Sequence, residues 1–263
     1  DELRDVQQSI KQITKNINDT KNNLLKSEKV EWNEKQNVNK ALEEVNDVFK
    51  ALEEIEKNIN NIENQALQNN LFEPELAEKF DHFQDLLNNI MTDEILNAMK
   101  ELEEAMKELD PEKMLEAINN FDYDLEHFEE QLDRFINMFE MAMAEQNMNE
   151  LIKKMESLLE KQNELVNNIN QDNNIKENAS NARLQEQKFS DIQNQINSTK
   201  NSIEKFSKKT EKKMEELLNH SMIDSTQSQL KNTRKNLQNN QMQNAKKNAQ
   251  IAKANLQDML NEL

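Results

Sequence analysis

The sequence predicts an all-α fold, an elongated antiparallel helical bundle built from coiled-coil hairpins, with no β-sheet. Two compositional facts point there. The 263 residues include no Gly and only two Pro, so hairpin turns, bulges and left-handed caps lack their usual residue. The hydrophobic set makes up 35% of the chain and charged residues 32%; a compact globule needs about 45–50% apolar residues, whereas a heptad seam needs roughly two in seven. The third observation is periodicity. Leu3, Val6, Ile10, Ile13, Ile17, Thr20 and Leu24 follow one another at alternating steps of three and four, which places them on one helical stripe.

The elements follow in order. After the first stripe, Ser27 can cap a restarted helix, and the stretch from Lys29 to Glu34 shifts the phase. Val38, Leu42, Val45, Phe49, Leu52, Ile59 and Ile62 then form a second seam, so a hairpin corner is expected between the two. Past the polar Gln68-Asn69-Asn70, Glu73-Pro74 reads as a helix start, because Pro is tolerated where the backbone N–H has no intrahelical partner. Its buried face is Leu76, Phe80, Phe83, Leu87 and Ile90. Thr92-Asp93-Glu94 caps a short helix with Ile95, Met99, Leu102, Met106 and Leu109 inward. Asp110-Pro111 repeats the cap-plus-Pro device and opens a helix whose seam runs Met114, Ile118, Phe121, Leu125, Phe128, Leu132, Phe135, Phe139 and Ala142.

Asn147 with Glu150 three residues on resembles a capping box, and predicts a new helix with Ile152, Met155, Leu159, Val166 and Ile169. The polar run from Asn170 to Asn174 marks a further corner. Two more helices are expected either side of a turn near Ser221 to Ser225. Their seams (Phe189, Ile192, Ile196, Ile203, Phe206, Met214, Leu217, then Ala245, Ala249, Ala252, Leu256, Met259, Leu263) are thin and interrupted by Asn and Gln, so they are expected to fray or to need a partner. Seven of the ten Phe lie between Phe72 and Phe139 and nine of the thirteen Met between Met91 and Met155, which puts the core in the middle. The domain reading is therefore 1–71, an N-terminal coiled-coil hairpin; 72–170, a central acidic Phe/Met-rich bundle; and 171–263, a C-terminal basic, Asn/Gln-rich hairpin.

Charge is as uneven as the core. Residues 73–160 carry 25 acidic against 7 basic side chains, and residues 200–253 carry 5 against 12, in a chain of net charge −18. That balance disfavours nucleic acid, whose affinity comes largely from phosphate contacts. Lys208, Lys209, Lys212 and Lys213, with Lys246 and Lys247, are basic clusters without interleaved aromatics to stack on bases. Their simplest use is intramolecular, the basic arm lying along the acidic middle; anionic lipid is another.

Enzymatic chemistry finds little purchase. Without Gly there is no phosphate-cradling loop, and without Cys there is no disulfide, thiolate zinc site or thiol nucleophile, which fits either redox compartment. Glu103-Glu104, Glu129-Glu130 and Glu215-Glu216 read as solvated faces. Asp124 and His127 at i, i+3 show one carboxylate-x-x-His element where a di-iron bundle needs two; Glu78 with His82 and Glu216 with His220 have the wrong spacing. No catalytic, cofactor-binding or metal-binding residue is assigned, and no cofactor. Met91, Met99, Met106, Met114 and Met155 fill core stripes. Met138, Met141, Met143 and Met148 broaden the apolar face around Phe135, Ile136 and Phe139, either as the centre of a bundle, which is favoured, or as a docking surface.

No run of apolar residues is long enough for a membrane span and no signal peptide is visible, so the chain as given reads as soluble. It starts at Asp1 rather than Met, which suggests a piece of something longer whose anchor lies elsewhere. Three stretches, Leu24 to Gln36 around Trp32, Leu71-Phe72-Glu73-Pro74-Glu75-Leu76, and Leu109-Asp110-Pro111-Glu112-Lys113, resemble a family of large bacterial membrane-anchored proteins, typified in Bacteroidetes-like bacteria and classed only as a domain of unknown function. The resemblance spans residues 1–170. It implies a long helical region outside the cytoplasm, periplasmic or envelope-associated, following membrane-spanning helices absent from this chain, and implies no catalytic residues. The expected function is a non-enzymatic structural or protein-interaction scaffold with a protein partner. The alternatives are a regulated module whose basic C-terminal arm masks an acidic surface, and a homo-oligomerising coiled coil.

Overall fold

A computed structural model describes residues 2–26, 30–68, 79, 83, 85–87, 90, 93–108, 110–171, 174–219 and 221–263, without the side chains of 62–68 and 219. Among the described residues all regular structure is helical and no strand occurs. The chain divides into two compact units, 1–139 and 140–263, whereas the sequence places boundaries near 71 and 170. A single 60-residue helix, Pro111–Asn170, lends its first half to one unit and its second half to the other.

Unit 1 contains α1 (Glu2–Leu24), α2 (Trp32–Gln68), α3 (Asp93–Glu108) and the first half of α4 (Pro111–Asn170). Every residue of the first predicted stripe from Val6 to Leu24 is buried. Thr20 is tolerated there because its hydroxyl donates to the Asn16 carbonyl at 2.9 Å, so no polar group is left unsatisfied. In α2, Ala41, Val48 and Ile55 join the predicted seam, and Phe49 meets Phe128 of α4 edge-on at 5.7 Å. Phe83 sits between Phe135 and Phe139, with ring centroids 6.0 and 5.4 Å away. Asp110 caps α4 as expected: its Oδ1 accepts from the Glu112 N–H at 2.9 Å, and Pro111 fills the first helical position. The readings at Ser27, Glu73-Pro74, Leu76, Phe80, Thr92 and Leu109, and at the Ile62 side chain, lie outside the described residues.

Unit 2 joins the second half of α4 to α5 (Ile175–Ile203), α6 (Lys208–Asn219), α7 (Ser221–Gln238) and α8 (Met242–Glu262). Three contacts fix α4 and α5 as antiparallel: Asn147 to Ser202, Lys154 to Gln195, and Gln185 to the Lys161 carbonyl. Gln162 ties α4 to α8 through the Ala249 carbonyl at 2.9 Å, an approach that the Ala side chain permits. Asn255 of α8 reaches Ser225 of α7, and Arg234 of α7 reaches Glu186 of α5.

Four expectations are corrected here. The predicted cap at Asn147 is absent, since α4 runs through it; the local sequence, Met-Ala-Met-Ala-Glu-Gln, consists of strong helix formers that outweigh one Asn. Residues Ser221 to Ser225, expected as a turn, are helical, and the helix boundary falls just before them, α6 ending at Asn219 and α7 starting at Ser221. A further turn falls at Asn239-Asn240, where Asn240 takes φ 56°. The Gln241 N–H bonds the Asn236 carbonyl and the Asn240 N–H bonds that of Leu237. This is a Schellman cap with Asn doing what Gly usually does, so a chain without Gly still makes a left-handed cap. Finally, the C-terminal seams have a core of their own. Phe189, Ile192, Ile196, Met214, Leu217, Leu256 and Met259 are buried with Leu151, Met155 and Leu158 of α4, and Ala245, Ala249 and Leu237 pack with Leu165, Val166 and Ile169.

Candidate interaction surface

Charge follows the structural division closely. Residues 1–139 hold 34 acidic and 15 basic side chains, and residues 140–263 hold 17 and 18, so the acidic excess belongs to unit 1 alone. The reason is local. Outside their buried seams, α3 and the first half of α4 expose carboxylates almost turn by turn: Glu101, Glu103 and Glu104 on one, Glu126 and Glu130 on the other. Such a surface repels itself and attracts cations over about a Debye length, roughly 8 Å at physiological salt.

Three polar contacts between helices fall at one kind of position. Lys21 Nζ meets Asp122 Oδ2 at 3.1 Å, Gln7 donates to Asp133, and Arg234 Nε donates to Glu186 at 2.7 Å. In all three pairs each partner directly follows a buried seam residue: Thr20 and Phe121, Val6 and Leu132, Thr233 and Gln185. These are the flanking positions of a helical seam, where ion pairs set partner choice and orientation. The sequence reading passed over them, although seam position plus one was a usable signal.

No family model, curated protein or solved structure matches the chain.

The one carboxylate–His pair weighed from sequence sits on α4 beside α3. Asp124 is half-buried and His127 exposed, in a groove of about 300 Å³ that includes Glu94, Tyr123 and Phe128. No group of three or more His, Cys, Asp or Glu among the described residues could hold a metal ion; His82 and His220 lie outside them. Burial pushes the Asp124 carboxyl above its usual range, the like charges of Glu94 and Glu101 push it further, and His127 opposes them. Glu103, Glu104, Glu130, Glu215 and Glu216 are exposed and Glu129 is half-buried. Of the Met side chains beyond the seam, Met138 and Met141 are exposed and Met148 packs against the unit 2 core.

The Asp124 shift has a testable sign. A carboxyl whose folded-state pKa is raised binds its proton more readily folded than unfolded, so stability rises as pH falls from neutral toward that pKa. Asp124→Asn is therefore expected to melt higher than the parent at pH 7, with the difference closing in mild acid. A variant with the parent's pH profile, or a lower melting temperature at pH 7, defeats this account.

Proposed function

We propose that this chain is a non-enzymatic structural and protein-interaction helical scaffold whose unit 1 recruits a cationic protein partner. One observation carries the reading: the net acidic charge of the chain is confined to one of its two compact units, with 34 acidic against 15 basic side chains in residues 1–139. The neutral unit 2 then serves as the attached spacer or second attachment point. Its place in a larger envelope-associated protein rests on the resemblance of residues 1–170 alone.

The two alternatives draw less support. A homo-oligomerising coiled coil needs its seams free, and Val6, Ile10, Ile13 and Ile17 are buried within the single chain. Residues of the basic arm do meet the 140–160 end of the acidic segment, with Lys205 paired to Glu140 at 2.7 Å and Leu217 and Met259 buried in one cluster with Leu151 and Met155, but that end lies in the unit whose charges balance, 17 acidic against 18 basic.

The test is binding of a lysine-rich peptide to the whole chain across a salt series, with carboxylate-to-lysine cross-links mapped by mass spectrometry. The expected result is affinity that falls with salt and cross-links concentrated in residues 1–139. Absence of binding at low salt, or cross-links shared evenly with residues 140–263, rejects the proposal.

A further inference from the structure

We infer that the groove between α1 and α2 is a seat for a basic amphipathic helix of the partner, an inference that rests on unit 1 being the cation-recruiting surface. The groove has a volume of about 430 Å³ and is walled by Glu2 and Asp5 of α1 and Glu44 and Asp47 of α2, with Val6 and Val48 in its floor. The described residues that line it include no Lys or Arg. An apolar floor between two acidic walls is the complement of a helix with an apolar stripe flanked by Lys or Arg on both sides, and not of a uniformly charged strand.

The dimensions agree with that occupant. On α1 the lining runs from Glu2 to Gln12, about 15 Å at 1.5 Å per residue, or close to three turns of a docked helix. Two antiparallel helices leave a long concave seam of this kind, and anchors at i, i+3, i+4 and i+7 read such grooves. The existing claims on the wall carboxylates are weak. Lys40 pairs with Glu44 Oε1 at 3.5 Å and Lys50 with Asp47 at 2.9 Å, both within α2; the Lys50–Asp47 pair is largely exposed, the class of pair worth well under about 1 kcal/mol, and Glu44 is half-buried. The other oxygen of Glu44, Oε2, is buried without a hydrogen-bond partner. Partner lysines can therefore displace Lys40 and Lys50 at little cost.

The experiment uses the full chain and two labelled peptides of identical composition, one with Leu and Lys spaced to form an amphipathic helix and one scrambled. Two charge-reversed variants are compared: Glu44→Lys with Asp47→Lys in the groove wall, and Glu103→Lys with Glu104→Lys on the exposed face of α3. The two change net charge equally. The expected result is tighter binding of the amphipathic peptide, weakened about tenfold or more by the groove reversal and far less by the α3 reversal. Equal weakening by both variants, or equal binding of both peptides, overturns the groove while leaving unit 1 as a diffuse cationic-partner surface. Failure of both peptides to bind the parent at low salt overturns the groove and the cation-recruiting surface together. Helicity and melting of each variant matched to the parent exclude unfolding as the cause, and a cross-link from peptide lysine to Glu2 or Asp5 in the parent gives a readout that needs no variant.

Discussion

Phe135→Ala is expected to destabilise unit 1 by about 3–5 kcal/mol, the cost of deleting a buried ring and leaving the cavity behind. Phe135 is fully buried, with Phe83 edge-on at 6.0 Å and Phe139 stacked at 6.1 Å, so aromatic contact adds to lost burial. Nothing bulky flanks it that could collapse into the space without giving up its own packing: Leu132 and Ile136 are themselves buried. At roughly 2–4 °C per kcal/mol for a chain of this size, the transition moves by about 10 °C. Because α4 belongs to both units, the change is best read by hydrogen exchange, with protection lost first in α1, α2 and the first half of α4. Tyr123→Ala is the matched control. Its ring is 72% exposed, and its loss is expected to stay within about 0.5 kcal/mol. Equal losses from the two would mean that the Phe83–Phe135–Phe139 cluster is not the core of unit 1.

The sequence was most legible where one physical signal acted alone. The stripe from Val6 to Leu24 is a bare heptad pattern, and it is buried as read. Asp110-Pro111 combines a side-chain acceptor with a residue that needs no donor, and it starts α4 as read. Legibility failed where two signals competed. At Asn147 a local capping pattern stood against a run of helix formers, and the run prevailed because adding one residue to an existing helix is far easier than nucleating a new one. At Asn239-Asn240 the absence of Gly pointed away from a left-handed cap, although Asn tolerates that conformation better than other residues with a Cβ.

The C-terminal seams failed for a different reason. Ala, Thr and Gln at core positions look like weak burial when each is counted by side-chain size. In unit 2 they allow close approach instead. Ala249 leaves its carbonyl open to Gln162, and Thr226 and Thr233 satisfy their hydroxyls on the Met222 and Gln229 carbonyls. A thin seam can be a tightly packed one, which side-chain hydrophobicity alone does not register. The candidate surface was legible to a similar depth. The acidic middle and the basic arm are plain in the sequence, but the confinement of the excess to residues 1–139 depends on where the compact units divide, and the α1–α2 groove needs both helices in place.

The continuity of α4 makes the second large prediction. If Asn147 were an N-cap, Asn149 would stand in the first turn of a new helix, where Pro is tolerated because the backbone N–H has no helical partner. In a helix running unbroken from Pro111 to Asn170, the same position is interior. Asn149→Pro then removes an i to i−4 bond and drives the ring into the preceding turn, at a cost of about 3 kcal/mol or more. Asn149 is exposed, so the loss comes from the backbone and not from packing, and Asn149→Ala separates the two by leaving stability level or slightly raised. Asn147→Ala adds an independent reading: loss of a true cap costs about 1 kcal/mol, whereas here only the long 3.5 Å contact to Ser202 is lost and the better helix propensity of Ala offsets it. Denaturant unfolding of the three variants decides the matter. A large loss for Asn149→Pro beside near-neutral alanines fits a helix unbroken through residue 149. Tolerance of Pro at 149 with a loss of about 1 kcal/mol at 147 would mean two helices meeting at a cap at Asn147.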